Sequence, residues 1–219
     1  MSRKAASAEA APQPDRRSTR FKTHRAERER ELLGRITIIL AENGLRKLTI
    51  DEIADELGVK KPGLYRYFPS KTKLIQSTLE AARENLVEAD TAGDFKDWRK
   101  HLLGALEYIA DHPTSFIILC RHAANDPDYR IYFQRYHADI LHLTCRRMEA
   151  FSNIDKGPYN VDFCANVLVS FFFESTLKWL DAGEMPVDEF HHWLIKSTSA
   201  LLAAWGPSSH LNVPTNKYK

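Results

Sequence analysis

From about Thr23 onward, apolar residues recur every three or four positions, with polar residues filling the gaps. In RAERERELLGRITIILAENGL, residues Leu32, Leu33, Ile36, Ile39 and Leu40 share one helical face. The pattern stops at Asn43-Gly44, a pair suited to a left-handed C-cap. Thr49-Ile-Asp-Glu52 has the spacing of a capping box, and Ile50, Ile53, Ala54 and Leu57 then follow the i, i+3, i+4, i+7 template. Apolar positions resume at Leu64 and Phe68, beyond Gly58. Pro69-Ser70 next signals a helix start, with Ser70 as N-cap, and opens the long amphipathic run KTKLIQSTLEAARENLVEAD. Breaks at Ala92-Gly93, Pro113, Asp126-Pro127, Lys156-Gly157-Pro158 and Gly183 to Pro186 divide the remainder into five helical stretches. These lie near 95–111, 114–125, 128–152, 161–182 and 187–205. Strand-like alternation is absent, so the predicted fold is all-α.

Helices of one or two turns do not stand alone, because nucleation is unfavourable and little surface is buried. The fragments 50–57 and 62–68 therefore require each other and a third helix, which 24–42 supplies. Gly58 provides the tight turn and Val59 fills the joint, which makes the unit a helix-turn-helix on a supporting helix. At about 100° per residue, Leu64 and Phe68 point into that unit. Pro62, Gly63 and Arg66 point away, with Tyr65 and Tyr67 on the flanks. Such an outward face suits a DNA major groove. Gly63 permits close backbone approach, Arg66 reaches a guanine edge, and the tyrosine hydroxyls reach bordering phosphates. Lys60, Lys61 and Lys71 add positive charge near helix N-termini.

Charge supports this reading. The formal net charge is only +2, but residues 1–75 hold 17 Lys/Arg against 10 Asp/Glu, and the rest holds 14 against 19. The basic part is expected to face a polyanion. Residues 1–22, with AASAEAAPQP followed by RRSTRFK, read as a disordered basic arm, and 207–219 as a C-terminal tail. No apolar run reaches the length of a membrane span and no leader-like segment opens the chain, so a cytoplasmic location without membrane contact is expected.

The stretch LTIDEIADELGVKKPGLYRYFPSKTKLI resembles the DNA-binding signature of the TetR family of bacterial transcription regulators. A Thr opening the second helix, an IA…GV pair at the turn, an LY·YF motif and a following ·SK··L carry the resemblance over residues 26–76. By position it implies phosphate contacts for Thr49, Tyr65, Tyr67 and Lys71. It places Lys60, Lys61, Pro62, Gly63 and Arg66 on the recognition helix or its approach. The family often has Ser where this chain has Lys60; lysine cannot accept a backbone N–H, so the helix start is expected to rely on Pro62.

The resemblance further implies a DNA-binding domain over 23–70 and a helical ligand-binding and dimerisation domain over 71–206. Its implied action is a homodimer, joined through the last two helices, that holds a palindromic operator and releases it to a small-molecule effector. Small residues at Ser197, Ser199, Ala200, Ala203 and Ala204 fit close helix approach. Candidate effector contacts are Trp98, Phe116, Cys120, Phe133, Tyr136, Phe171, Phe172 and Trp179, which would favour a hydrophobic or aromatic ligand. The alternative is a ligand-independent architectural DNA-binding protein.

Other chemistry finds little footing. His137 and His142, and the adjacent His191 and His192, lack the i, i+4 spacing of a helical metal clamp. Cys120, Cys145 and Cys164 are too scattered for a disulfide framework. No phosphate loop, GxGxxG, HExxH or GxSxG occurs, and the Ser-x-x-Lys at Ser70–Lys73 is accounted for by a helix cap. Neither enzyme activity nor a cofactor or metal is expected. Arg121 and Asp126 are expected to pair or cap within the turn they flank.

Overall fold

The computed structural model describes residues 16–92, 97–152 and 157–207. Within them the chain is helical, with no strand. In order come α1 (Arg16–Asn43), α2 (Ile50–Leu57), α3 (Lys61–Tyr67), α4 (Lys71–Thr91), α5 (Trp98–Asp111), α6 (Pro113–Ile117), α7 (Arg130–Phe151), α8 (Val161–Ala182) and α9 (Val187–Trp205). Helix α1 starts inside the segment expected to be an arm, so regular structure reaches further towards the N-terminus than the apolar pattern indicates. Residues 1–15 of that arm, and 208–219 of the expected tail, lie outside the described residues.

The turns form where local chemistry demands them. Thr49 caps α2 in a complete capping box: its hydroxyl accepts the Glu52 N–H, while its own N–H donates to the Glu52 carboxylate at 2.7 Å. That bond holds the Glu52 carboxyl below its usual range. Gly58 closes α2 at φ 66°, a left-handed conformation that would strain most other residues. Ser70 accepts the Lys73 N–H at the head of α4. Thr49→Ala removes the box, and is expected to cost about 1 kcal/mol, read as a lowered thermal midpoint.

A single apolar cluster extends from Leu32 on α1 through Ile53, Leu64, Phe68 and Leu79 to Phe173 on α8. Two smaller clusters adjoin it: one around Met148, Cys164 and Leu168, and one around Leu106, Phe190 and Leu194. Helix α4 contributes to the main cluster from Leu74 to Leu86, so it is buried along most of its length.

The expected continuous helix near 114–125 differs in one respect. After α6 the backbone passes into a wider π-helical segment, Ile118–Ala123, in which Ile118, Leu119, Cys120 and Ala123 are buried. Arg121 and Asp126 do not pair with each other. Arg121 reaches Asp181 on α8 at 2.7 Å, while Asp126 binds Arg46, far back in the chain. Spacing along the chain cannot reveal either partner, because both lie across the fold.

Candidate nucleic-acid interface

Helix α3 is seven residues long and is held by its two apolar side chains. Leu64 and Phe68 are almost completely buried against α1, α2 and α4. The guanidinium of Arg35 on α1 donates to the Leu57 carbonyl at 2.6 Å and fixes the turn from below. With those anchors set, Lys60, Lys61, Pro62, Tyr65 and Arg66 are exposed and Gly63 is half-buried. A Cβ at Gly63 would meet nothing within 4 Å, so the space beside this backbone is open. Lys60 occupies the N-cap position and makes no side-chain capping bond; Pro62 stands in the first turn, where its missing N–H costs nothing.

The polar groups around α3 fall into two sets. Lys61 is paired with Asp51 at 3.3 Å, which raises its pKa, and lies 3.8 Å from Asp55. The Tyr65 hydroxyl donates to the same Asp51 at 3.2 Å. Lys71 donates to the Arg46 carbonyl at 2.7 Å; partial burial and nearby Arg46 lower its pKa. These three side chains are engaged within the protein. The Arg66 guanidinium packs over the Tyr67 ring at 5.5 Å, and Arg25 of α1 covers the same ring at 5.7 Å. That contact keeps Arg66 beside the exposed face without taking up its hydrogen-bond donors in an ion pair. Arg25 joins this surface from α1; its signal in the sequence was only the general excess of basic residues there.

A second contact joins the module to the rest of the protein. Arg46, in the loop before α2, forms a two-pronged pair with Asp126 at 2.7 Å and also meets Asp128 at 2.5 Å. These bonds raise the Arg46 pKa further and lower that of Asp126. The Tyr129 ring lies 5.8 Å from the Arg46 guanidinium, and His122 donates through Nε2 to the Ala41 carbonyl at 2.8 Å. The π-helical segment and the turn after it therefore clasp the end of α1 and the loop behind it.

Helices α4, α5, α7, α8 and α9 enclose a mainly apolar cavity, whose volume for the centres of water-sized spheres is about 110 Å³. One water needs only about 10–15 Å³ by this measure, so the space is more than a packing gap. Of the aromatic residues proposed to meet an effector, Trp98, Tyr136 and Phe172 line it. The others lie outside the lining. Phe116 is wholly buried, with its ring edge-on to Tyr136, Phe172 and Phe173. Cys120 is buried in the π-helical segment, and burial pushes its thiol pKa up. Phe133 packs on Phe173, Phe171 on Trp193, and Trp179 on Phe190. The cavity also holds an ion pair that spacing did not flag. Asp90, near the end of α4, meets Arg147 of α7 at 3.0 Å, and desolvation raises the carboxyl pKa despite that partner.

In the single chain, α8 and α9 leave apolar and small side chains uncovered. Phe163 is 64% exposed, and Ser199, Ala200 and Ala203 are exposed along α9. Among the described residues there is no helix long and apolar enough to cross a membrane, and no group of three or more His, Cys, Asp or Glu side chains placed to hold a metal.

Comparison with known proteins agrees with this geometry. Residues 37–78 match the sequence model of the bacterial regulatory proteins of the tetR family. The nucleoid occlusion factor SlmA of Mannheimia succiniciproducens is 36% identical over 77 residues, which span 34% of this chain and 36% of that protein. An uncharacterised HTH-type transcriptional regulator of Mycobacterium tuberculosis, Rv0472c, is 29% identical over 197 residues, or 85% of this chain and 82% of the other. A TetR-like transcriptional regulator from Rhodococcus sp. RHA1 superposes with a TM-score of 0.65 at 23% identity, covering 80% of this chain and 96% of that one. The last match is one of fold.

Proposed function

We propose that this chain, whose N-terminal module is that of the TetR-family regulatory proteins, is a ligand-responsive transcriptional repressor that holds a two-fold-symmetric operator as a homodimer. The observation that carries the reading is the uncovered Pro62–Gly63–Arg66 face of α3, set by two buried anchors and bordered by basic side chains. A helix this short reads few bases. Pairing two copies doubles the contacts and, with half-sites about 34–36 Å apart, supplies specificity. The uncovered faces of α8 and α9 are the surface through which the copies would join.

In this reading Arg66 reads a base edge, and Lys60, Tyr67 and Thr49 meet the backbone. Lys61, Tyr65 and Lys71 would join them by exchanging their internal partners for phosphates, because a charged or hydroxyl donor leaves an exposed carboxylate at little cost. The effector would act in the cavity behind α4. One end of this helix carries Lys71, beside the DNA-binding unit, and the other carries Asp90, so a change in its tilt alters the distance between the two recognition helices. Coupling follows if the ligand binds the two spacings with different affinity.

The test is binding of the purified protein to labelled duplexes tiled across the DNA flanking its own gene, at moderate salt with excess competitor DNA. Saturable binding to one symmetric fragment supports the reading; equal, steeply salt-dependent binding to every fragment would replace it with an architectural role. That second reading draws on the match to nucleoid occlusion factors, which is confined to about a third of the chain.

The clasp at Arg46 yields a separate expectation. Arg46→Ala would speed amide hydrogen exchange severalfold in 41–47 and 122–129, through local opening, and leave the global melting temperature almost unchanged. Uniform exchange throughout the variant would show that the clasp does not hold these segments together.

A further inference from the structure

Resting on the effector reading above, we infer that the cavity takes an uncharged, largely apolar molecule with a single hydroxyl or amide head seated against Asp90 and Arg147. Its walls are hydrocarbon and aromatic, including Trp98, Leu102, Phe172 and Leu194, so the body of the ligand must be apolar. The polar end is defined by the one ion pair in the lining. Arg147 directs Nη1 at the carboxylate of Asp90 and Nη2 at its main-chain carbonyl, at 2.9 Å. Its Nε–H is buried and, among the described residues, finds no acceptor. On the other side, Asp90 Oδ2 lies 3.0 Å from Nη1 but accepts no hydrogen bond of acceptable geometry. The site therefore offers one donor and one acceptor side by side, both withdrawn from water. Buried polar groups in that condition are costly, and a ligand that satisfies both gains accordingly.

The charge of the head group follows from the same pair. Asp90 already neutralises Arg147, so a carboxylate ligand would place a second anion in a desolvated site, and an ammonium a second cation. A hydroxyl or a primary amide donates to Oδ2, accepts from Nε and adds no charge. Because Asp90 sits on α4 and Arg147 on α7, the head group would bear on the helix that leads to the DNA-binding unit.

The experiment compares four probes with the same ten-carbon chain, decan-1-ol, decanamide, decanoate and decylamine, by thermal shift on the full-length protein. Decanol and decanamide are expected to raise the melting temperature and to bind at least about tenfold more tightly than the two charged probes. Arg147→Lys retains the cation and removes Nε–H, and is expected to weaken both neutral probes about tenfold or more. Asp90→Leu with Arg147→Met, which replaces the pair with apolar side chains, should erase the preference for a polar head. Equal or tighter binding of decanoate or decylamine overturns the inference, as does failure of all four to bind or unchanged decanol affinity in Arg147→Lys. Operator binding is measured alongside. If decanol binds as expected and operator affinity does not move, the ligand class stands and the effector reading falls.

Discussion

Arg66→Ala is expected to abolish selective operator binding while leaving the fold intact. The side chain is exposed, and its one described neighbour is the ring of Tyr67, so truncation removes little packing. A bidentate arginine–guanine contact provides about 1–3 kcal/mol of discrimination. Two protomers lose two such contacts, so affinity for the operator should fall on the order of 100-fold or more. Binding to unrelated duplex should fall much less, because that depends on the summed positive charge. Fluorescence anisotropy on operator and scrambled duplexes checks both parts. Lys60→Ala is the internal contrast: it should weaken both duplexes similarly and reduce the salt slope by about one. Equal loss on both duplexes in Arg66→Ala would mean that Arg66 meets phosphate instead of a base.

Phe116→Ala is expected to be the most destabilising single truncation. Its ring has no solvent exposure and stands edge-on to three other rings, at centroid distances of 5.8–6.3 Å. Those rings belong to α7 and α8, so one side chain joins the π-helical region to both. Truncating a buried phenylalanine costs about 3–5 kcal/mol, through lost transfer energy and the cavity left behind. For a chain of this size, each kcal/mol lowers the melting temperature by about 2–4 °C, for an expected fall of roughly 6–20 °C. Thermal unfolding followed by circular dichroism measures it. A shift below about 3 °C would mean that the surrounding rings collapse into the gap.

The DNA-binding module could be read from the chain because its determinants are local. Thr49 and Glu52 are three residues apart, Gly58 requires only its own backbone conformation, and Leu64 and Phe68 share a face by helical period alone. The same logic could not sort the aromatic residues of the C-terminal helices. Phe172 lines the cavity and Phe173 is core, yet both are apolar residues in an apolar run, and only the packing of other helices separates them. Long-range partners were invisible for a related reason. Arg46 with Asp126, Arg121 with Asp181 and Asp90 with Arg147 each join residues far apart in sequence, and a surplus of charges on every helix offers many equivalent pairings. Nor could composition show that Lys61, Tyr65 and Lys71, three of the expected DNA contacts, are engaged within the free protein.

The central claim is sequence-specific reading by a symmetric pair of α3 helices, and its most direct test is selection from a randomised duplex library at moderate salt. Sequencing of the retained fragments is predicted to yield one enriched motif, two-fold symmetric, with half-sites separated by about one helical turn. The enrichment should disappear when Arg66→Ala is used for the selection. Retained fragments with no enriched motif, or an enriched motif that is unchanged in Arg66→Ala, would contradict the account.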